Sequence, residues 1–430
     1  MKYDRVIMLL LLCLMLTGCS KSLPDTYQEG SDYQYMERHA FSAYHQTGEK
    51  AHYFAYGHYI YYMDKEEKVL LPLCGKADCL HDRETDFEKI QECNAYMETE
   101  SVDTGISYYS GDLYYVEKIL GGEDILYRIS ADGTKKEQVY QWEKDIEVEE
   151  WIIHRGVLYY AEHKYLSEKD GTAERYALKA LSLSGNVKNP KTIHTVDEDM
   201  NVMTLGDIQA YGNFLYFQVH AYEKSEEEIT DDNYLKYQYL KTFVYDMKKD
   251  ETRELTLPDT EKDDIIQGVV FWQGRILVGP YKPHVDYMKP APWYIADLDG
   301  SNAELFMEDV GQGLMFYSDG KYLYLSNINM VWRGHDKSEE CYKIYDKDLN
   351  LVDTVKLPFK PPFGDVSIGT PEYMFLNYEK TKSGKKEEDE GEGTSEKEEK
   401  EEWGVMYWDK SKIGSYHGDA FEMTHIKYEG

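Results

Sequence analysis

Along most of this chain, apolar and polar positions alternate in short runs, and a helical period is hardly seen. One pattern recurs: a Gly followed by an aromatic-rich run. It reads Gly111-Asp112-Leu113-Tyr114-Tyr115, Gly156-Val157-Leu158-Tyr159-Tyr160, Gly212-Asn213-Phe214-Leu215-Tyr216, Gly274-Arg275-Ile276-Leu277 and Gly320-Lys321-Tyr322-Leu323-Tyr324. Pro371-Glu372-Tyr373-Met374-Phe375 is a weaker copy, and the first copy, around His52-Tyr53-Phe54, lacks the Gly. A second run then ends in a polar turn, as in Tyr59-Ile60-Tyr61-Tyr62-Met63-Asp64, Phe243-Val244-Tyr245-Asp246 and Tyr342-Lys343-Ile344-Tyr345-Asp346. Alternation of this kind predicts half-buried strands. The turn residues have a mechanism, since Asp bonds backbone two residues on and Gly accepts positive φ.

Seven such units, each of about 45–60 residues, fill the chain. A single hairpin unit cannot bury its own faces, whereas radially stacked sheets cover one another. The sequence therefore predicts an all-β fold, a β-propeller of seven blades over residues 46–430. The irregular first and last units leave six or eight blades open. With 41 Tyr against 13 Phe and 7 Trp, the strands favour rings that pack while the hydroxyl finds a polar partner.

The N-terminus has a different pattern. Lys2 and Arg5 precede an apolar run over 6–16, too short to span a bilayer, and Leu16-Thr17-Gly18-Cys19 follows. This resembles the lipobox of bacterial lipoproteins. The resemblance implies a signal peptide over 1–18, a lipidated (palmitate-type acylated) Cys19, a tether over 19–45 and anchoring to the extracytoplasmic face of the cell membrane. Ala296-Asp297-Leu298-Asp299-Gly300-Ser301-Asn302 and Ile129-Ser130-Ala131-Asp132-Gly133 resemble the strand-turn signature of TolB-like and low-density-lipoprotein-receptor (YWTD-type) propellers. Together with LCGKADCLHD and CNAY within 73–96, they make the chain similar to Gram-positive lipoproteins that carry such a propeller. That resemblance implies fold and location, and no chemistry.

The net charge of −33 disfavours nucleic acid, whose binding needs cationic side chains, and anionic membrane surfaces beyond the anchor. A monomer is expected. Residues 382–402 form an acidic low-complexity tract, expected to be a disordered loop.

With strands A to D counted from the axis outward, A–B and C–D turns share one face of a propeller, and B–C and D–A connections share the other. Long B–C loops are expected over 162–175, 220–240, 279–292, 327–340 and 378–403, with the Cys-rich D–A connection on the same face. The loops carry Tyr234, Tyr237, Tyr281, His284, Tyr287, Trp332 and His335, aromatic groups suited to recognition of glycans, peptides or proteins. Cys74, Cys79, His81 and Cys93 lie within 20 residues. A local disulfide is the first reading, structural zinc the second and a reactive thiol the third. No cofactor is otherwise indicated. There is no Gly-x-Ser-x-Gly, His-Glu-x-x-His or P-loop motif, and single His residues beside strand aromatics are read as structural. The expectation is a non-catalytic binding module. The alternative is a polysaccharide hydrolase or lyase with acids converging at the axial mouth.

Overall fold

The computed structural model describes residues 24–37, 45–100, 104–119, 123–168, 171–185, 189–197, 200–224, 228–230, 237–258, 265–281, 290–311, 315–326, 341–357, 366–381 and 401–428. Seven antiparallel sheets follow one another along the chain, over 45–72, 107–141, 146–195, 201–254, 265–311, 315–356 and 366–425. They are the blades of a seven-bladed β-propeller. The A strands, His45–Thr47, Ser107–Tyr109, Ile146–His154, Asn201–Tyr211, Ile265–Trp272, Met315–Ser318 and Val366–Ser367, stand side by side around the axis. The last meets the first through His45 Nδ1 and Ser367 Oγ, 3.2 Å apart.

The repeated Gly has a backbone reason. At Gly111 and Gly320, in A–B turns, φ is +90° and +82°, where a Cβ would be strained. The repeated Tyr has a packing reason. Tyr115, Tyr160, Tyr216 and Tyr324 are among the largest fully buried side chains. Tyr53 donates to Ala131 O of the next blade at 3.3 Å, and Tyr216 donates to Leu298 O of its next blade. These two hydroxyls tie the B strands of blades 1 and 4 to the neighbouring C–D turns instead of facing water.

Ring closure uses the end of the chain. Lys427–Tyr428 pairs in parallel with Val69 and Leu70 on the outer strand of blade 1, making that sheet five-stranded. Blades 6 and 7 are joined by Lys410, which lies in the C–D connection of blade 7. Its Nζ donates to Asp319 Oδ2 at 2.6 Å, to Ile368 O at 2.6 Å and to Thr370 O at 2.7 Å.

Several expected loops are strands. In blade 3, pairing runs from Val157↔Ser182 to Glu168↔Gly171, so 162–175 is a projecting ladder. Blade 4 pairs out to Tyr222↔Gln238 and blade 7 to Thr381↔Glu401. The strands continue past the core with polar residues, a composition that reads as loop although the backbone stays paired. The acidic tract falls outside the described residues over 382–400, and Glu401 and Glu402 belong to a strand.

Part of the segment that sequence assigned to the tether packs on the ring. Residues 24–37 lie across the A–B mouth. Arg155 grips Asp32 through Nε at 2.8 Å and Nη2 at 3.0 Å, and Nη2 also reaches Pro24 O at 2.8 Å. The Ser110 N–H donates to Gly30 O at 3.0 Å, and the Gly369 N–H to Met36 O at 3.1 Å. Gln34 exchanges two 2.7 Å bonds with the Thr47 backbone, while the Tyr35 ring packs edge-on against Tyr211 and Phe271. The Tyr33 N–H donates to His154 Nδ1 at 3.0 Å, which leaves Nε2 to donate to Gly212 O at 2.8 Å; burial holds His154 neutral, with its pKa lowered to about 4.

Candidate acid–base site

The site grows from the ladder of blade 3. Its A strand carries Glu147, Val148, Glu149 and Glu150. Val148 is buried in the core shared with blade 2. A register shift opposite Tyr160–Glu162 leaves both Glu149 and Glu150 outside the regular pairing. Such a bulge re-aims side chains, and both carboxylates turn to the A strand of blade 4. Glu149 accepts from the Leu205 N–H. Glu150 accepts from the Asp207 N–H at 2.7 Å and the Ile208 N–H at 2.8 Å.

His163, on the B strand, lies opposite Glu147 on one side and Tyr176 on the other. Side chains opposite each other across strands share a face. The imidazole stacks on Tyr176 at 4.2 Å and tilts against Tyr165 at 4.3 Å. Its Nδ1 is 3.6 Å from Glu149 Oε1 and 4.0 Å from Glu147 Oε2, and its Nε2 is 3.3 Å from Glu174 Oε2. Tyr165 Oη donates to Glu147 Oε2 at 3.0 Å, fixing that carboxylate. The His163 side chain is only 9% exposed, yet Nε2 has no partner in hydrogen-bond geometry among the described residues.

Burial, and then the charge of Glu147, push the Glu149 carboxyl up to about 7, against the opposing pull of Lys118. A carboxyl that titrates near neutrality beside an imidazole can give or take a proton at working pH. A carboxyl perturbed by burial and a neighbouring charge marks a candidate site.

Glu150, next to Glu149 in the chain, links this strand to the wall of the axial cavity through Asp207. Asp207, whose N–H Glu150 holds, lines a cavity of about 240 Å³ together with Gln209, Phe271, Trp293, Phe316 and Ser318. Tyr35 and Met36 close it from the A–B side.

The sequence-derived aromatic set is not brought together by the described structure. Tyr234, His284, Tyr287, Trp332 and His335 lie outside the described residues. Tyr281 ends a strand, and Tyr237 is half-buried at the base of the blade 4 hairpin, its carbonyl accepting from the Glu223 N–H. Cys19 also lies outside.

The second cluster does converge. One ligand atom each from Cys74, Cys79, His81 and Cys93 lies within 4.8 Å of all the others, so the group could hold a metal ion. No disulfide joins the three cysteines. The segment was expected beside the B–C loops. It does touch the B–C turn of blade 1, where the Met97 N–H donates to His58 O at 2.7 Å. It also touches the C–D turn of blade 2, because sheet twist swings outer strands off the axial direction.

Glu147, Glu149, His163 and Glu174 were not singled out from sequence. Their signal was the shared two-residue spacing of Glu147-x-Glu149, His163-x-Tyr165 and Glu174-x-Tyr176, legible only with the register known.

No protein-family model matches the chain, and no curated protein matches it. Solved structures do. A prolyl endopeptidase aligns with 91% of this chain and 51% of its own, at TM-score 0.51 and 10% identity. A puromycin-hydrolyzing peptidase of Mycobacterium tuberculosis aligns with 94% and 56%, at 0.50 and 9%. An acylaminoacyl peptidase aligns with 92% and 53%, also at 0.50 and 9%. The chain thus spans about half the length of these structures. At such identity the likeness establishes the propeller fold. It also corrects the expectation of a non-catalytic module: these three structures are of peptidases, and the enzymatic alternative agrees with them better.

Proposed function

We propose that this protein is a propeller enzyme that cleaves a polysaccharide, as a hydrolase or lyase, by acid–base catalysis at Glu149 and His163. The observation that carries the reading is Glu149, a carboxyl raised to about 7 and held 3.6 Å from a buried imidazole. In a hydrolase, protonated Glu149 gives its proton to the leaving oxygen, and the pair of Glu147 and His163 draws one from water. In a lyase, His163 takes the proton beside a carboxyl-bearing carbon and Glu149 supplies one to the leaving group. The peptidase likeness does not bring a serine nucleophile, because the chain has no Gly-x-Ser-x-Gly. With a net charge of −33, neutral or cationic polymers are favoured over polyanions, and with them hydrolysis over elimination.

A lipid on Cys19 fits this use. Only residues 20–23 separate it from Pro24, and a chain reaches about 3.5 Å per residue. The A–B mouth, where Pro24 and Asp25 are held, would then face the membrane. The blade 3 ladder would project away from it, toward polymer outside.

The test is a panel of neutral, cationic and acidic polysaccharides incubated with the purified chain, scoring reducing ends for hydrolysis and unsaturated ends for elimination. The reading expects product on at least one polymer and a loss of about 10²–10⁴-fold in Glu149→Gln and in His163→Ala. Product formation unaffected by both substitutions would refute the site.

A further inference from the structure

We propose that Cys74, Cys79, His81 and Cys93 bind one zinc ion, and that this ion latches the ring where the end of the chain closes it. Tetrahedral zinc, with bonds of about 2.3 Å to sulfur and about 2.0 Å to nitrogen, holds ligand atoms about 3.5–3.8 Å apart. Cys93 Sγ and His81 Nδ1 are 3.8 Å apart, and all four ligand atoms fall within 4.8 Å of one another. Three thiols cannot all pair among themselves, whereas three thiolates and one imidazole form a closed set of the kind that structural zinc takes.

The surroundings suit thiolates. The His81 N–H points at Cys79 Sγ at 3.4 Å. The Lys76 and Asn94 N–H groups point at the Cys74 sulfur, and the Ala95 N–H at that of Cys93. Such outer contacts orient ligands and tune the ion. His81 adopts φ +55°, an uncommon conformation for a residue other than Gly or Asn, and this turns the chain at the ligand itself. Lys136 reaches the same neighbourhood, donating to Tyr96 O at 2.7 Å, and offsets the charge of three thiolates on one divalent ion.

The latch follows from what the ligand segment touches. Asp82, next to His81, accepts from Tyr61 Oη at 3.1 Å and from Tyr428 Oη. Tyr61 belongs to blade 1, and Tyr428 to the strand that closes the ring. On the other side, Asn94 Nδ2 and the Gly75 N–H both donate to Gly133 O of blade 2, at 2.8 and 2.9 Å. The segment is therefore a wedge joining blade 1, blade 2 and the chain end. Among the described residues the closing strand pairs through two, Lys427 and Tyr428, so it depends on this wedge keeping its shape.

Elemental analysis of the purified chain, thiol titration with and without chelator, and hydrogen exchange test this together. The expectation is one zinc per chain, three thiols that become reactive on chelation without any reductant, and cobalt substitution giving the colour of tetrahedral thiolate coordination. Chelation should speed exchange over 424–428 far more than in the strands of blades 4 and 5. Cys341→Ser should keep the zinc, and Cys79→Ser should lose or weaken it. If Cys79→Ser does not fold, His81→Ala read by zinc competition serves the same purpose, with affinity expected to drop tenfold or more. A mass two hydrogens low with thiols freed only by reductant overturns zinc in favour of a disulfide. Reduced protein that takes up no zinc at micromolar metal also overturns it. Zinc bound with unchanged exchange at 424–428 overturns the latch.

Discussion

Two buried ionic sites in this propeller are built from the same kinds of groups and finished differently. At the seam of blades 6 and 7, Lys410 and Asp319 are fully buried and every obligation is met. The ammonium uses three acceptors, Asp319 Oδ2 also takes Tyr324 Oη at 2.6 Å, and Oδ1 takes the Lys321 and Tyr322 N–H groups. In blade 3, His163 is almost as buried, but Nε2 lacks a hydrogen bond among the described residues, and the neighbouring Glu149 is forced to hold its proton to near neutrality. A closed network fixes geometry. An open one keeps a proton and a lone pair available. Buried polar groups left unmatched are costly, and the one at His163 stands beside three carboxylates, the arrangement on which the proposed acid–base role rests.

The sharpest contrast should come from cutting each site. Lys410→Ala strands a buried carboxylate, and breaking such a pair costs about 3–5 kcal/mol. Urea unfolding should show that loss, whereas a change below 1 kcal/mol would mean the seam does not rely on the pair. Glu149→Gln should change stability far less at pH 6, while removing turnover.

The second contrast is in pH dependence. The Glu149 carboxyl rises from 4.5 to about 7 on folding. The folded state therefore binds the extra proton, and this contribution to stability is full below about pH 4.5 and is lost as pH rises through about 7. Wild type should become less stable relative to Glu149→Gln across that window. A constant difference between the two stability curves from pH 4.5 to 8 would contradict the raised value.

The smallest effect is expected at the blade 7 ladder. Deleting 382–400 and rejoining the paired strands with a short turn should leave the melting temperature nearly unchanged, because closure entropy grows slowly with loop length. A large drop in thermal unfolding would show that the tract is packed.

The two sites also differ in how legible they were. The blade repeat was readable because Gly and Tyr recur for reasons that return in successive blades, such as a positive φ at Gly111 and burial of the Tyr216 ring between blades. The cysteine cluster was readable because its ligands are near in sequence. Lys410 meets Asp319 across 91 residues, and no local pattern predicts that. Glu149 and His163 were hidden for a subtler reason. A bulge in one strand decides which way Glu149 points, and the ladder that supports His163 looks like a polar loop until its pairing is seen. The aromatic loop residues drew attention through their chemistry alone, with no register to place them.

The most direct measurement is the titration of the Glu149 carboxyl itself, by carbon-detected NMR of selectively labelled protein with Glu149→Gln for assignment. A midpoint near 7, falling when Glu147 is changed to Gln, is the predicted result. A midpoint in the ordinary glutamate range near 4.5 would leave the blade 3 cluster an acidic surface and remove the basis for an acid–base enzyme.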